Sequence, residues 1–171
     1  MFPTIFDFFH KVFEHLRVII QKRFLKIRYG KKIILGQNVF WRSNLKVIIK
    51  NRKHAKLIIG DYCFFNNYCS LNCLGKIQIG AHTIFGENVK IYDHNHVFNR
   101  KDMYVAAQGY NIGSVTIGKN CWIGSNTTLL KGTDIGDNCV IGAGSVISGK
   151  IPENSLVTSD RSLKIEPIYF R

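Results

Sequence analysis

Apolar residues recur along most of this chain with a period that is neither helical nor a two-residue alternation. Between Ile117 and Ile147 a large aliphatic side chain returns every six positions, at Ile117, Ile123, Leu129, Ile135, Ile141 and Ile147, most often with glycine directly after it. The position four residues beyond each is small: Cys121, Thr127, Thr133, Cys139 and Ser145. Such a period marks an internal repeat. The same ladder runs upstream through Leu35, Trp41, Val47, Ile59, Phe65 and Leu71 with Lys53 out of pattern, and resumes after a two-residue slip at Ile79, Phe85 and Ile91. Each hexad predicts a short strand and a turn, with the large and the small positions pointing inward. Three hexads make a triangular coil of about 18 residues, so residues 33–157 are expected to form an all-β solenoid.

The N-terminal segment has a different period. Phe2, Ile5, Phe6, Phe9, Val12, Phe13, Leu16, Ile19, Ile20 and Phe24 follow three-and-four spacing, and Pro3 suits a first turn. The pattern predicts an amphipathic helix over residues 2–28 within an N-terminal region 1–32, with 158–171 left as a tail. Lys11, Arg17, Lys22, Arg23, Lys26 and Arg28 interrupt every apolar run, so the helix is not expected to span a bilayer. Two roles fit it, both using the one apolar face: a cap over the open end of the solenoid, or an in-plane contact with anionic lipid.

Charge sharpens that choice. The chain carries a formal net charge of +13, yet residues 1–58 hold 14 Lys and Arg against 2 Asp and Glu, whereas residues 59–171 hold 10 against 9. A basic end on a chain without a nucleic-acid-binding motif does not predict a nucleic-acid partner. The five cysteines form no C-x-x-C pair, and four fall on the small inward position, so they are expected to be buried, reduced core thiols with neither disulfide nor metal. Reduced thiols suit a cytoplasmic protein, peripheral to the inner face of the membrane if the helix touches lipid.

The ladder breaks between Ile91 and Ile117, 26 positions where six are expected. A loop leaving a rigid repeat is free of its packing rules and is the expected place for function. This excursion, 93–114, carries Asp93, His94, Asn95 and His96 at its root and a Tyr110-Asn111 pair at its return. If the root is extended, the two histidines point the same way. Adjacent Asp93 and His94 would then diverge, leaving a backbone carbonyl equally suited to orient the ring.

The hexad ladder resembles that of the hexapeptide-repeat acyltransferases, and the string N-V-K-I-Y-D-H-N-H at residues 88–96 is similar to the active-site region of their galactoside, maltose and capsule-sugar O-acetyltransferases. The resemblance implies a left-handed parallel β-helix. It also implies acetyl-CoA as acyl donor, a sugar or glycan acceptor, a homotrimer, and a histidine general base that falls on His94, with His96 the competing assignment. Asn66 aligns with an acceptor-binding asparagine, although a corner asparagine at positive φ would need no further reason; the family's acidic acceptor contact is replaced by Leu74. Trp122, Ser125, Ala143, Gly144 and Lys150 fall on stretches that lie along CoA in the family. The G-x-P-A-like turn expected near residue 160 is absent. The resemblance does not separate O- from N-acetylation. A β-helix carbonic anhydrase is disfavoured because His82, His94 and His96 fit a three-histidine zinc site poorly, and a non-catalytic scaffold would predict no dependence on His94.

Overall fold

A computed structural model describes residues 5–50 and 53–158, and the side chains of residues 5–8, 10 and 11 are not described. The expected helix-opening Phe2 and Pro3 and the tail from Ser159 lie outside the described residues. The described residues form one α-helix, α1 (Ile5–Tyr29), continued by a 3-10 turn at Gly30–Lys32, and then a parallel β-solenoid of about six coils.

Three parallel sheets form its faces. The first stacks Ile33–Leu35, Lys56–Ile59, Lys76–Ile79, Ser114–Ile117, Asp134–Ile135 and Lys150–Ile151. The second stacks Phe40–Trp41, Phe64–Phe65, Ile84–Phe85, Trp122–Ile123, Val140–Ile141 and Leu156–Val157. The third stacks Lys46–Ile49, Ser70–Cys73, Lys90–Tyr92, Thr128–Leu129 and Val146–Ile147. Ladder residues end most of these strands and point inward, so Trp41, Ile59, Phe65, Leu71, Ile79, Phe85, Ile91, Ile117 and Ile123 are all buried. The rings of Phe65 and Phe85 stack at 4.5 Å between centroids, a contact of about 0.5–1.5 kcal/mol beyond the area it buries.

Register shows where the 18-residue coil holds. Trp122 pairs with Val140, 18 positions on. Phe64 pairs with Ile84, 20 positions on, which is the two-residue slip seen in the sequence. Phe40 pairs with Phe64, 24 positions on, because the turn that contains Lys53 is longer. Ile84 pairs with Trp122, 38 positions on, across the excursion. At the corners between first and second faces, Asn38, Tyr62, His82, Asn120, Asn138 and Asn154 repeat a positive φ of 50–60°. Asparagine tolerates that conformation better than most residues, and here its amides also chain together: Asn120 Nδ2 donates to Asn138 Oδ1 at 2.9 Å and Asn138 Nδ2 to Asn154 Oδ1 at 3.1 Å.

α1 covers the open first coil. Val18 is buried in the core, with Leu25 and Tyr29 packed against it. Trp41 Nε1 donates to Gln21 Oε1 at 2.6 Å, Tyr29 Oη donates to the Val47 carbonyl at 2.9 Å, and Arg17, paired with Glu14, reaches the Trp41 carbonyl. The sequence reading gave the helix one apolar face, and the structure shows two. The capping face carries Val18, Leu25 and Tyr29, while Phe13, Leu16, Ile20, Phe24 and Ile27 are exposed on the other side.

Candidate active site

The excursion is not a plain loop. His94–His96 pairs antiparallel with Tyr110–Ile112, so a short β-ribbon projects from the corner between the third and first faces. Gly113 N donates to the Asp93 carbonyl at 2.8 Å and closes the ribbon where it rejoins the coil. The corner is crowded, since a Cβ on Gly75 would stand 2.5 Å from the Gly113 carbonyl oxygen. Only glycine allows the ribbon base to lie against the preceding coil.

Asp93 sits at the bend between the strand Lys90–Tyr92 and the ribbon, and it is fully buried. Its carboxylate accepts from Leu74 N at 2.9 and 3.0 Å and from Gly75 N at 2.7 Å. Its Oδ1 also lies 2.9 Å from His94 Nδ1. The expected divergence of these neighbouring side chains fails because the backbone bends between them, turning the carboxylate inward and the ring beside it. Two backbone donors on one buried carboxylate fix its position, and a fixed acceptor at Nδ1 sets the imidazole tautomer. With the proton on Nδ1, Nε2 carries the lone pair.

His94 is largely sheltered, its side chain 14% exposed. It meets the ring of Tyr110 edge-on at 5.2 Å and that of Tyr92 at 6.3 Å. His96 is exposed and packs on the same Tyr110 ring at 4.6 Å. The two histidines therefore share one side of the ribbon, as expected, but only His94 has an ordered carboxylate partner. The sequence reading noted Tyr110 without a role, and it missed the paired N–H groups of Leu74 and Gly75. The antiparallel match of Tyr110-Asn111-Ile112 to His94-Asn95-His96 was the available signal for the tyrosine.

The remaining candidates lie elsewhere on the solenoid. Asn66, Ser125, Ala143 and Gly144 belong to stacked corners between the second and third faces. Asn66 is not at positive φ, so the backbone reason offered for it does not apply; its Oδ1 accepts from Asn67 N at 2.9 Å. Trp122 is 54% exposed on the second face, beside a cleft of about 600 Å³ that is also lined by Tyr62, His82, Ile84 and Asn120. Tyr62 and His82 stack their rings at 4.9 Å along its edge. Lys150 is exposed in the last strand of the first face, two strands along from Ser114–Ile117. Within one chain, Asn66, Ser125, Ala143 and Gly144 occupy a different corner from His94.

All five cysteines are buried and free. Burial pushes the Cys69 thiol up to about 11 and the Cys73 thiol up to about 12, the latter also raised by the nearby Asp93 charge. Neither is suited to act as a thiolate nucleophile near neutral pH. Among the described residues no group of three or more His, Cys, Asp or Glu is placed to hold a metal ion.

Comparison with known proteins gives these features a context. A family model described as bacterial transferase hexapeptide, six repeats, matches residues 114–149. WbbJ of Escherichia coli, named for an O-acetyl transferase role in lipopolysaccharide biosynthesis, is 33% identical over 138 residues, covering 77% of this chain and 69% of its own. The crystal structure of a maltose O-acetyltransferase from Clostridium difficile aligns with a TM-score of 0.64 at 29% identity, covering 73% of this chain and 64% of that one. A hexapeptide-repeat-containing acetyltransferase from Vibrio cholerae shares the fold with a TM-score of 0.69 at 21% identity, covering 87% of this chain and 80% of that one.

Proposed function

The chain belongs to the hexapeptide-repeat transferases, and from that premise we propose that it is an acetyl-CoA-dependent O-acetyltransferase acting on a sugar hydroxyl in surface polysaccharide or glycan synthesis, with His94 as general base. The observation that carries the assignment is the buried Asp93 carboxylate held by Leu74 N and Gly75 N against His94 Nδ1. It leaves Nε2 as the basic atom, and imidazole is matched to proton transfer near neutral pH.

Acetyl-CoA supplies an activated thioester. His94 Nε2 accepts the proton of the acceptor hydroxyl as that oxygen bonds to the acetyl carbonyl carbon. The carbon–sulfur bond breaks, and the imidazolium returns its proton to the departing thiolate, so no group stays on the enzyme. Tyr110 and Tyr92 wall the imidazole and limit water around it.

The donor fits the small-residue corner. Ser125, Ala143 and Gly144 leave the backbone accessible, and exposed Trp122 stands three residues from Ser125 as a wall for a thin pantetheine chain. Lys150 is a point charge for a phosphate. Asn66 on the same row of corners serves the acceptor. Because the corner of Asn66, Ser125, Ala143 and Gly144 is not the corner of His94, a homotrimer that sets one subunit's corner against the next subunit's ribbon completes the site.

The test is incubation of the purified chain with acetyl-CoA and a panel of sugars and amino sugars, following thiol release and the mass of the acceptor. Acetylation of a hydroxyl is expected. Acetylation confined to amines would overturn the O-transfer reading, and no acceptor-dependent thiol release together with no acetyl-CoA binding would replace the enzyme with a scaffold.

A further inference from the structure

We propose that the outward face of α1 lies in the surface of an anionic lipid bilayer. Phe13, Leu16, Ile20, Phe24 and Ile27 are 76%, 52%, 67%, 60% and 84% exposed. Their spacing places them on one stripe, about 20 Å long at the helical rise, opposite the residues that cap the solenoid. The cap is already satisfied by Val18, Leu25 and Tyr29, so it does not account for this second apolar face.

Charge identifies the occupant. Arg23 and Lys26 border the stripe on one side and Arg28 on the other, all exposed, and Lys31 follows in the next turn. The chain's basic excess, 14 Lys and Arg against 2 Asp and Glu, falls in the same stretch of sequence, residues 1–58. An apolar stripe flanked by cations is suited to the boundary between acyl chains and anionic headgroups. A second copy of the helix would set like charge against like charge. Among the described residues no helix is long and apolar enough to cross a membrane, so the contact is in-plane.

The geometry then fixes the pose. α1 lies across the end of the solenoid, so the coil axis stands upright on the bilayer. His94 follows the third strand of the third face, two strand spacings or about 10 Å beyond the first coil. A lipid-joined acceptor is within reach of that height, a consequence that rests on the acetyl-transfer reading. Lipid binding itself does not, so either can fail while the other holds.

Flotation of the full chain with vesicles of phosphatidylcholine alone, or of phosphatidylcholine with phosphatidylglycerol, tests the proposal. The wild type should float with the anionic vesicles and at least ~10-fold less with the neutral ones, more weakly as salt is raised. The double variant Ile20→Gln, Phe24→Gln keeps the net charge and alters exposed positions, so its melting temperature should hold while binding falls ~10-fold or more. Arg23→Glu with Lys26→Glu should cost at least about fivefold per residue. Failure of the wild type to float with anionic vesicles at low salt overturns the proposal, as does unchanged flotation of the double glutamine variant. Self-association lost in that variant, without vesicle binding, would assign the face to a second copy and equally overturn it.

Discussion

Replacing Asp93 with asparagine probes the site at its most constrained atom. The carboxylate is fully buried and accepts from Leu74 N, Gly75 N and His94 Nδ1 at 2.7–3.0 Å. An asparagine keeps the shape but turns one acceptor into a donor. If the amide nitrogen faces Leu74 and Gly75, two buried N–H groups meet a third. If it faces His94, Nδ1 must accept and the proton moves to Nε2, where a base needs a lone pair. Loss of one hydrogen bond to a charged group costs about 1.5–3 kcal/mol, which for a chain of this length lowers Tm by about 3–12 °C. Loss of the base-competent tautomer removes about 10²–10⁴-fold from kcat, the usual contribution of a positioned general base. The assay pairs thiol release from acetyl-CoA with a melting curve, and histidine nitrogen chemical shifts report the tautomer directly. An Asp93→Asn enzyme within threefold of wild-type kcat, with the Nδ1-protonated tautomer intact, would refute the reasoning.

Trp122→Ala should raise KM for acetyl-CoA about tenfold, the scale of one large apolar contact, while Tm changes little because the side chain is 54% exposed; an unchanged KM would remove Trp122 from the donor site. The buried thiols should resist alkylation in the native protein and react on denaturation. Cys69 and Cys73 stay protonated in the fold up to about 11 and 12, whereas an unfolded chain ionises them near their ordinary value of 9.0. Stability from this source is therefore complete below about pH 9 and is lost as pH rises through 11–12. Melting temperatures across that range should fall more steeply for the wild type than for a Cys69→Ala, Cys73→Ala variant, and parallel curves would contradict the burial argument.

Much of this was legible in sequence because a solenoid repeats one solution. Ile117 to Ile147 sets the period, and burial of Cys121, Thr127, Thr133, Cys139 and Ser145 follows from it. The two-residue slip before Ile79 survives as a 20-residue coil. What the sequence hid depends on local bends and on faces. Asp93 and His94 converge because the chain turns between them, and no alternation rule anticipates a bend. The Leu74 and Gly75 N–H groups are backbone donors without a side-chain signature. The two apolar faces of α1 merge in a sequence pattern this rich in phenylalanine and isoleucine, and only contact with Trp41 and Val47 separates them. Asn66 was placed by the resemblance, but that its corner is not the corner of His94 needed the sheets themselves.

The most direct measurement is the rate of acceptor-dependent thiol release by His94→Ala and His96→Ala, both checked for unchanged fold. The account predicts a loss of about 10²–10⁴-fold for His94→Ala and a change of no more than a few-fold for His96→Ala, whose ring is exposed on Tyr110. Loss confined to His96→Ala, or full activity in His94→Ala, would contradict it.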